Sequence, residues 1–334
     1  MKIKRVLYLG YYLKGLDRKK LGKFLRFASH STRISRLRLL GSAVAAVFKY
    51  NISILDYFLF RFYELPEKER LLWAGTGFMF EYQKKMNPEN VRGLLEDKLS
   101  FHQKYGRFTH RGFASLSQIT EDPGLAQVLI DKPAGKLVLK NSLGQAGKEI
   151  SVLDSRDLSP AVLIQTMKAG NFDLVEEFIV QHPDMEKLSD SGINTARLIT
   201  QVNEGHVEIL AARLRITIDS FVDNLAAGNA AAPVDPLTGK VVGPAVFSDI
   251  VKPDITVHPL TGVPILDFQI PFWKEALDMV REAALVVPGN RSVGWDVAFT
   301  PRGPLLIEGN HNWCKILWQL PVKQGLKPEL EKFL

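Results

Sequence analysis

The sequence predicts an α+β protein led by a basic, mostly helical region. Three observations carry this. Residues 1–90 read as helical and aromatic-rich, notably over Leu55 to Leu65. From about Val91, short strand-like segments alternate with helical ones. The excess positive charge is confined to the first 40 residues. At 334 residues the chain has room for about two domains. With 46% apolar and 24% charged residues, it lies well outside the disordered range.

Several classes are excluded at once. The single cysteine, Cys314, allows no internal disulfide and no Cys-based zinc site. It is read as a buried small hydrophobe. The longest apolar run, Leu39 to Phe48, is too short to span a bilayer. It follows 38 residues and precedes no small-residue cleavage site, so it is not read as a signal peptide. A soluble, cytoplasmic protein is expected.

Residues 1–40 hold twelve Lys or Arg against one acid, Asp17, for +11 of a total of +7; residues 41–334 therefore sum to −4. Within that segment Leu21, Phe24, Leu25 and Ala28 mark one helical face, interleaved with Lys19, Lys20, Lys23 and Arg26. A surface helix packed on the body and peripheral contact with an anionic membrane both fit. Nucleic acid is set aside, since no RNA-binding or helix-turn-helix signature accompanies the charge.

The elements follow in order. Asp97-Lys98 opens a helix. Lys136–Lys140 and Glu149–Leu153 alternate as strands around the glycine-containing turn 141–147. Ser159 is an N-cap, Pro160 occupies the first helical position and Gly170 stops that helix. Leu174–Val180 reads as a strand. Ala196–Gln201 and His206–Ile216 pair antiparallel through Asn203-Glu-Gly205. Ala226–Val234, rich in small residues, is expected to be a loop, and a helix runs from near Pro271 to about Leu285. A hairpin, Gly294 to Asn310, turns at Pro301-Arg-Gly-Pro304.

That hairpin carries the most chemistry. Asp296 and Glu308 are equidistant from Arg302, so an odd-length loop centred there sets the two carboxylates face to face. Directly opposed acids repel and are poor structural pairs. Asn310 shares their face because side chains alternate along a strand. Two carboxylates and an amide oxygen suit Mg²⁺. Lys140 followed by Ser142, Gly144 and Gly147 forms a candidate phosphate cradle. Glu176-Glu-Phe-Ile179 taken alone is edge-strand solvation. Arg107, His110 and Arg111 either bind an acidic substrate or are solvated. His182 reads as structural or exposed. His311 and Trp313 either line an acceptor pocket or, for Trp313, join the core.

The order Asp-Lys, strand Lys with glycine turn, Glu-Glu-Phe-Ile, Arg-bearing strands and Asp…Glu-x-Asn resembles the ATP-grasp superfamily. The later segments are most similar to its sugar-transfer-associated branch, related to the α-L-glutamate ligases. The supports are Gly106-Arg-Phe-Thr-His-Arg-Gly112, Ser191-Gly-Ile-Asn-Thr-Ala-Arg197, His258-Pro-Leu-Thr-Gly262, Gly294-Trp-Asp296 and Leu306-Ile-Glu-Gly-Asn310, spread over roughly residues 93–320. Asn141 follows Lys140 where many relatives carry proline, and the loop holds fewer glycines than is usual.

The resemblance implies an ATP-grasp fold in which two α+β subdomains grip ATP between antiparallel sheets. Residues 1–92 would form the helical N-terminal region, 93–180 the subdomain with the phosphate lid, and 181–334 the subdomain with the Mg²⁺ site. Lys98 and Lys140 would contact ATP phosphates beneath a lid at Ser142, Gly144 and Gly147. Glu177, Phe178 and Ile179 would contact adenine. Asp296, Glu308 and Asn310 would hold Mg²⁺. Arg213, Asn224 and Arg197 would lie near the γ-phosphate and the acceptor. The implied activity is ADP-forming ligation of a carboxylate and an amine through an acylphosphate. Its setting would be surface or capsular polysaccharide assembly, at the inner face of the membrane. A sugar kinase and a non-catalytic nucleotide-binding scaffold are the rival functions.

Overall fold

The computed structural model describes residues 2–144, 150–221 and 224–334. Among these, the strands form two antiparallel sheets. The smaller runs in the order β1-β4-β2-β3, with β1 (Phe113–Ser115), β2 (Lys136–Lys140), β3 (Ile150–Asp154) and β4 (Leu174–Glu177). The larger runs β10-β9-β5-β6-β7-β8. It comprises β5 (Thr195–Asn203), β6 (His206–Ile216), β7 (Ala230–Val234), β8 (Val246–Phe247), β9 (Ser292–Thr300) and β10 (Gly303–Asn310). Residues 178–182 carry the chain between sheets, arriving where the His182 N–H donates to the Phe299 carbonyl at 2.7 Å.

Local signals explain most elements. Ser159 caps the helix Pro160–Ala169, its hydroxyl accepting the Val162 N–H. β5 and β6 join through Glu204 and Gly205, both at positive φ (51° and 81°), the conformation a two-residue hairpin turn requires. The helices Lys98–Thr109 and Trp273–Val286 bury Phe101, Tyr105, Ala276 and Val280 against Leu198, Leu214 and Trp295 of the large sheet. A separate cluster around Leu137, Leu139, Leu163 and Val175 seals the small one.

The N-terminal region is helical: α1 (Lys2–Lys14), α2 (Arg18–Thr32) and α3 (Arg36–Tyr50). The apolar face of α2 packs inward. Phe24 and Ala28 are fully buried, with Leu21 and Leu25 against the same cluster. That cluster also contains Leu225, Ala231, Ile250, Ile316 and Leu317 from far along the chain. The basic residues interleaved on α2 are thus the solvent side of a docked helix. α1 differs, because Val6, Leu7, Tyr11 and Leu13 remain exposed on it. No helix among the described residues is long and apolar enough to cross a membrane.

Three expectations need correction. Much of Ala226–Val234 is strand, since Ala230–Val234 is β7 and buried throughout. Its small side chains fit because Ala231 joins the N-terminal cluster while Ala230, Ala232 and Val234 join the main core. Burial on both faces looks like a loop composition in sequence. The strand from Leu174 stops at Glu177, since Phe178–Val180 belong to the crossing. Cys314 is exposed.

Candidate active site

One cleft of about 420 Å³ draws side chains from both sheets. Lys98, Lys140, Gly144, Glu177, Phe178 and Ile179 line it from one side; Arg197, Asn224, Asp296, Glu308 and Asn310 line it from the other.

The hairpin brings the two acids together by a different route from the one expected. Its turn has two residues, Pro301 and Arg302, with Gly303 paired to Thr300. In an unbroken ladder Ile307 would then face Asp296. A bulge between Leu306 and Glu308 adds one residue to β10, and Glu308 takes the position opposite Asp296. The Asn310 amide donates to Glu308 Oε1 at 3.1 Å and to the Gly294 carbonyl at 3.3 Å. At Gly294 the backbone passes so close to Trp313 that an added Cβ would lie 2.7 Å from the Trp313 Cβ.

Across four neighbouring strands, Arg213, Arg197, Asp296 and Glu308 stand in one row. Arg197 grips Asp296 with both Nε and Nη2, the latter at 2.9 Å, and Arg215 adds a contact at 2.5 Å. Burial works against the charge on Asp296, but Arg197 and Arg215 outweigh it and hold the carboxyl below its ordinary range. Glu308 moves the other way. Burial and then the neighbouring Asp296 charge push its carboxyl up.

Arg213 does not line the cleft. Its Nε and Nη2 donate to the Trp318 carbonyl at 3.1 and 2.6 Å, and Nη1 donates to the Ala212 carbonyl. Arg215, on the same face two residues later, lines the cleft instead. Strand alternation makes the two equivalent in sequence, and only the position of Trp318 separates them. Asn224 lines the cleft while its side chain accepts the Ala226 N–H at 3.0 Å.

On the opposite side, Lys98 opens its helix behind the N-cap Asp97, which accepts the Leu99 and Ser100 N–H groups. Its ammonium donates to the carbonyls of Asn141, Ser142 and Gly144, tying the helix to the start of the glycine turn. Burial lowers its pKa. Ser142 is turned away, its N–H and hydroxyl both donating to Asp173 at 2.6 Å. Gly147 lies outside the described residues. Glu177 accepts the Gly112 N–H at 3.0 Å and pairs with Lys132 at 3.3 Å. The Phe178 ring lies 5.3 Å from the Lys136 ammonium.

Glu176 has no edge-strand role. It is buried on the second strand of its sheet, with Lys140 at 2.6 Å, His102 at 2.8 Å and Arg111 at 3.2 Å. Burial alone would raise its pKa, but these cations and the His102 bond bring it well below the ordinary value. Burial pushes His102 down, toward the neutral ring. A neutral ring 2.8 Å from a carboxylate donates from Nε2, and Nδ1 then has no partner among the described residues. Glu176, His102, Arg111 and Arg215 were invisible as a set because their signal is tertiary. Of the remaining candidates, Arg107 is exposed beside Glu282, His182 caps a short helix, and His311 pairs with Glu96 at 2.8 Å. Trp313 is buried, its Nε1 donating to Ser292, and it also borders the cleft.

Among the described residues no group of three or more His, Cys, Asp or Glu gathers as a metal cluster. Asp296, Glu308 and Asn310 nonetheless fit a hard divalent cation. Asp296 accepts three guanidinium N–H contacts, while Glu308 opposite it accepts the Asn310 amide N–H and keeps further acceptor sites. Burial and then the Asp296 charge both disfavour a second negative charge at Glu308, a cost that a bound cation would relieve. Asn310 spends its amide hydrogens on neighbours, keeping its oxygen for a ligand.

Two antiparallel α+β units around a shared cleft define the ATP-grasp class. The chain belongs to the sugar-transfer associated ATP-grasp family, whose family model matches residues 78–334. No curated protein matches it. Among solved structures, the ATP-grasp ligase PsnB bound to a minimal precursor is 13% identical, with a TM-score of 0.44 over 74% of this chain and 61% of that one. The biotin carboxylase domain of Hydrogenobacter thermophilus 2-oxoglutarate carboxylase is 14% identical, with a TM-score of 0.42 over 75% and 52%. An L-amino acid ligase from Bacillus licheniformis is 13% identical, with a TM-score of 0.38 over 78% and 52%. The chain thus spans about six tenths or less of these structures' own length.

Proposed function

We propose that this protein is a Mg²⁺- and ATP-dependent carboxylate–amine ligase. The observation that carries the reading is the cleft itself, where Lys98 and Lys140 share one cavity with the opposed Asp296 and Glu308. A substrate carboxylate oxygen attacks the γ-phosphorus of ATP, the bond to the β-bridging oxygen breaks, and ADP leaves. The amine then attacks the acyl carbon of the resulting acylphosphate, phosphate departs, and the nitrogen loses a proton. Lys98 and Lys140 meet the phosphates, while Arg197 and Arg215 spread negative charge developing at the transferred group. Held by Asp296, Glu308 and Asn310, Mg²⁺ would add positive charge against the phosphate oxygens. Glu177, Phe178 and Ile179 receive the base. The lid that begins at Ser142 excludes water from a hydrolysable intermediate, and Asn224 faces the acceptor.

In this reading residues 93–180 carry lid and hinge, 181–334 the metal set, and 1–92 a helical base. The family's association with sugar transfer supports a sugar-linked setting; we place the reaction in surface-polysaccharide assembly, with an amino acid or amine joined to a uronic acid sugar. The exposed apolar side chains of α1, beside Lys14 and Arg18, would rest the protein on the inner membrane surface. Leu7→Glu with Tyr11→Glu should abolish cosedimentation with anionic vesicles, and unchanged binding would remove this contact.

Nucleotide product analysis tests the activity. The protein is incubated with Mg²⁺, ATP, uronic sugars and an amine panel. ADP with free phosphate, dependent on both substrates and lost in Asp296→Asn/Glu308→Gln, is expected. ADP without free phosphate would make the protein a kinase.

A further inference from the structure

Arg111 is the one member of its basic cluster that is buried, and it belongs to neither expected category. It follows His110, the left-handed C-cap of the helix Lys98–Thr109, and precedes β1. Its Nη2 lies 3.2 Å from Glu176, the carboxylate that holds Lys140 at 2.6 Å. The same guanidinium reaches the large sheet, where Nη1 donates to the Leu306 carbonyl and Nη2 to the Ile307 carbonyl, each at 3.4 Å. Those carbonyls flank the bulge that turns Glu308 toward Asp296. A bulged residue leaves ladder groups unpaired, and a planar fork with several donors can serve two carbonyls and a carboxylate together.

We infer that Arg111 is a positioning residue that couples the phosphate lysine of one sheet to the metal carboxylates of the other. It does so through Glu176 on one side and the Leu306–Ile307 bulge on the other. Arg111 touches no reacting atom. It fixes the offset between Lys140 and Glu308, so that the phosphates and the metal of a bound metal–nucleotide meet both at once. The inference rests on the nucleotide reading of the cleft and adds a dependence between its halves that the reading alone does not require.

A double-mutant cycle isolates that dependence. Dissociation constants for ADP with Mg²⁺ are measured by calorimetry for Lys140→Met, Glu308→Gln and the double variant. The cycle is repeated in Arg111→Met and Arg111→Lys backgrounds, with thermal melts to confirm folding. With Arg111 present, the two losses should be non-additive by about fivefold or more. In Arg111→Met they should become additive. Arg111→Lys keeps a charge for Glu176 but cannot also serve both carbonyls, so it should restore stability without restoring the non-additivity. If Arg111→Met fails to fold, the lysine variant decides alone. Equal non-additivity in all backgrounds would overturn the coupling while leaving the nucleotide site intact. No binding of ADP with Mg²⁺ by the unsubstituted protein would overturn the nucleotide reading, and the coupling with it.

Discussion

Lys315 lies 3.0 Å from Asp56, a carboxylate only 1% exposed. Asp56 also accepts the Ser53 N–H and both the N–H and hydroxyl of Thr76. The pair joins the helical N-terminal region to the segment just after β10. Asp56→Ala would leave the partly buried Lys315 ammonium and three donors without their acceptor, and should cost at least about 1–3 kcal/mol. Denaturant titration checks this.

Replacing Glu308 should have effects of opposite sign on stability and function. Glu308→Gln removes a like charge from Asp296, so the metal-free protein should be unchanged or gain up to about 1 kcal/mol. Mg²⁺-dependent nucleotide binding should fall at least about tenfold. Asp296→Asn should instead destabilise by roughly 3–5 kcal/mol, because the buried Arg197 fork loses the carboxylate it grips. Thermal melts alongside calorimetry separate the two.

Arg213 and Arg215 should part company in the same way. Arg213→Met leaves the Trp318 carbonyl without its donor and should cost about 1–3 kcal/mol, with nucleotide affinity retained. Arg215→Met should leave substrate-dependent ADP release at least about tenfold lower, since its guanidinium reaches the cleft and Asp296. Equal loss of activity in a fully folded Arg213→Met would contradict this division.

His102 makes stability pH-dependent in a defined direction. Its folded pKa lies below the ordinary value of about 6.5, so the unfolded chain takes up the proton first as pH falls. The contribution is complete above about 6.5 and is lost as pH drops toward the folded value, by at most about 1.4 kcal/mol per unit. Glu176 acts with the same sign at lower pH, below the ordinary glutamate range. Glu176, Arg111 and Lys140 face the ring, and Phe113 stacks on it at 4.3 Å. His102→Gln should flatten the slope between pH 7 and 5.5 by denaturant titration. Since His311 is lowered too, the difference between the proteins is the quantity to read.

Periodicity and cap chemistry made much of the fold legible. Ser159, Pro160 and Gly170 bracketed a helix, and alternation found the paired strands. What escaped was set by tertiary contact. The strand at Ala230–Val234 has no polar alternation because both its faces are covered. The sequence places Asp296 opposite Glu308 through an odd loop, and the structure reaches the same pairing through a two-residue turn plus a bulge. Glu176 and Glu177 are adjacent in sequence, yet only one reaches the buried cluster. Nothing in their spacing says which strand will lie inside the sheet.

The double burial of β7 also makes the N-terminal helices inseparable from the larger sheet. Ala231 is already closed over by the cluster that holds Phe24, Leu39 and Phe58. A truncated protein beginning near residue 93 would lose Phe24, Leu39 and Phe58 from the cluster around Ala231, and Met79 and Tyr82 from the cluster around Ile199 and Ala211 of the larger sheet. Such a fragment is expected to self-associate, so its inactivity would say nothing about where the reacting groups lie.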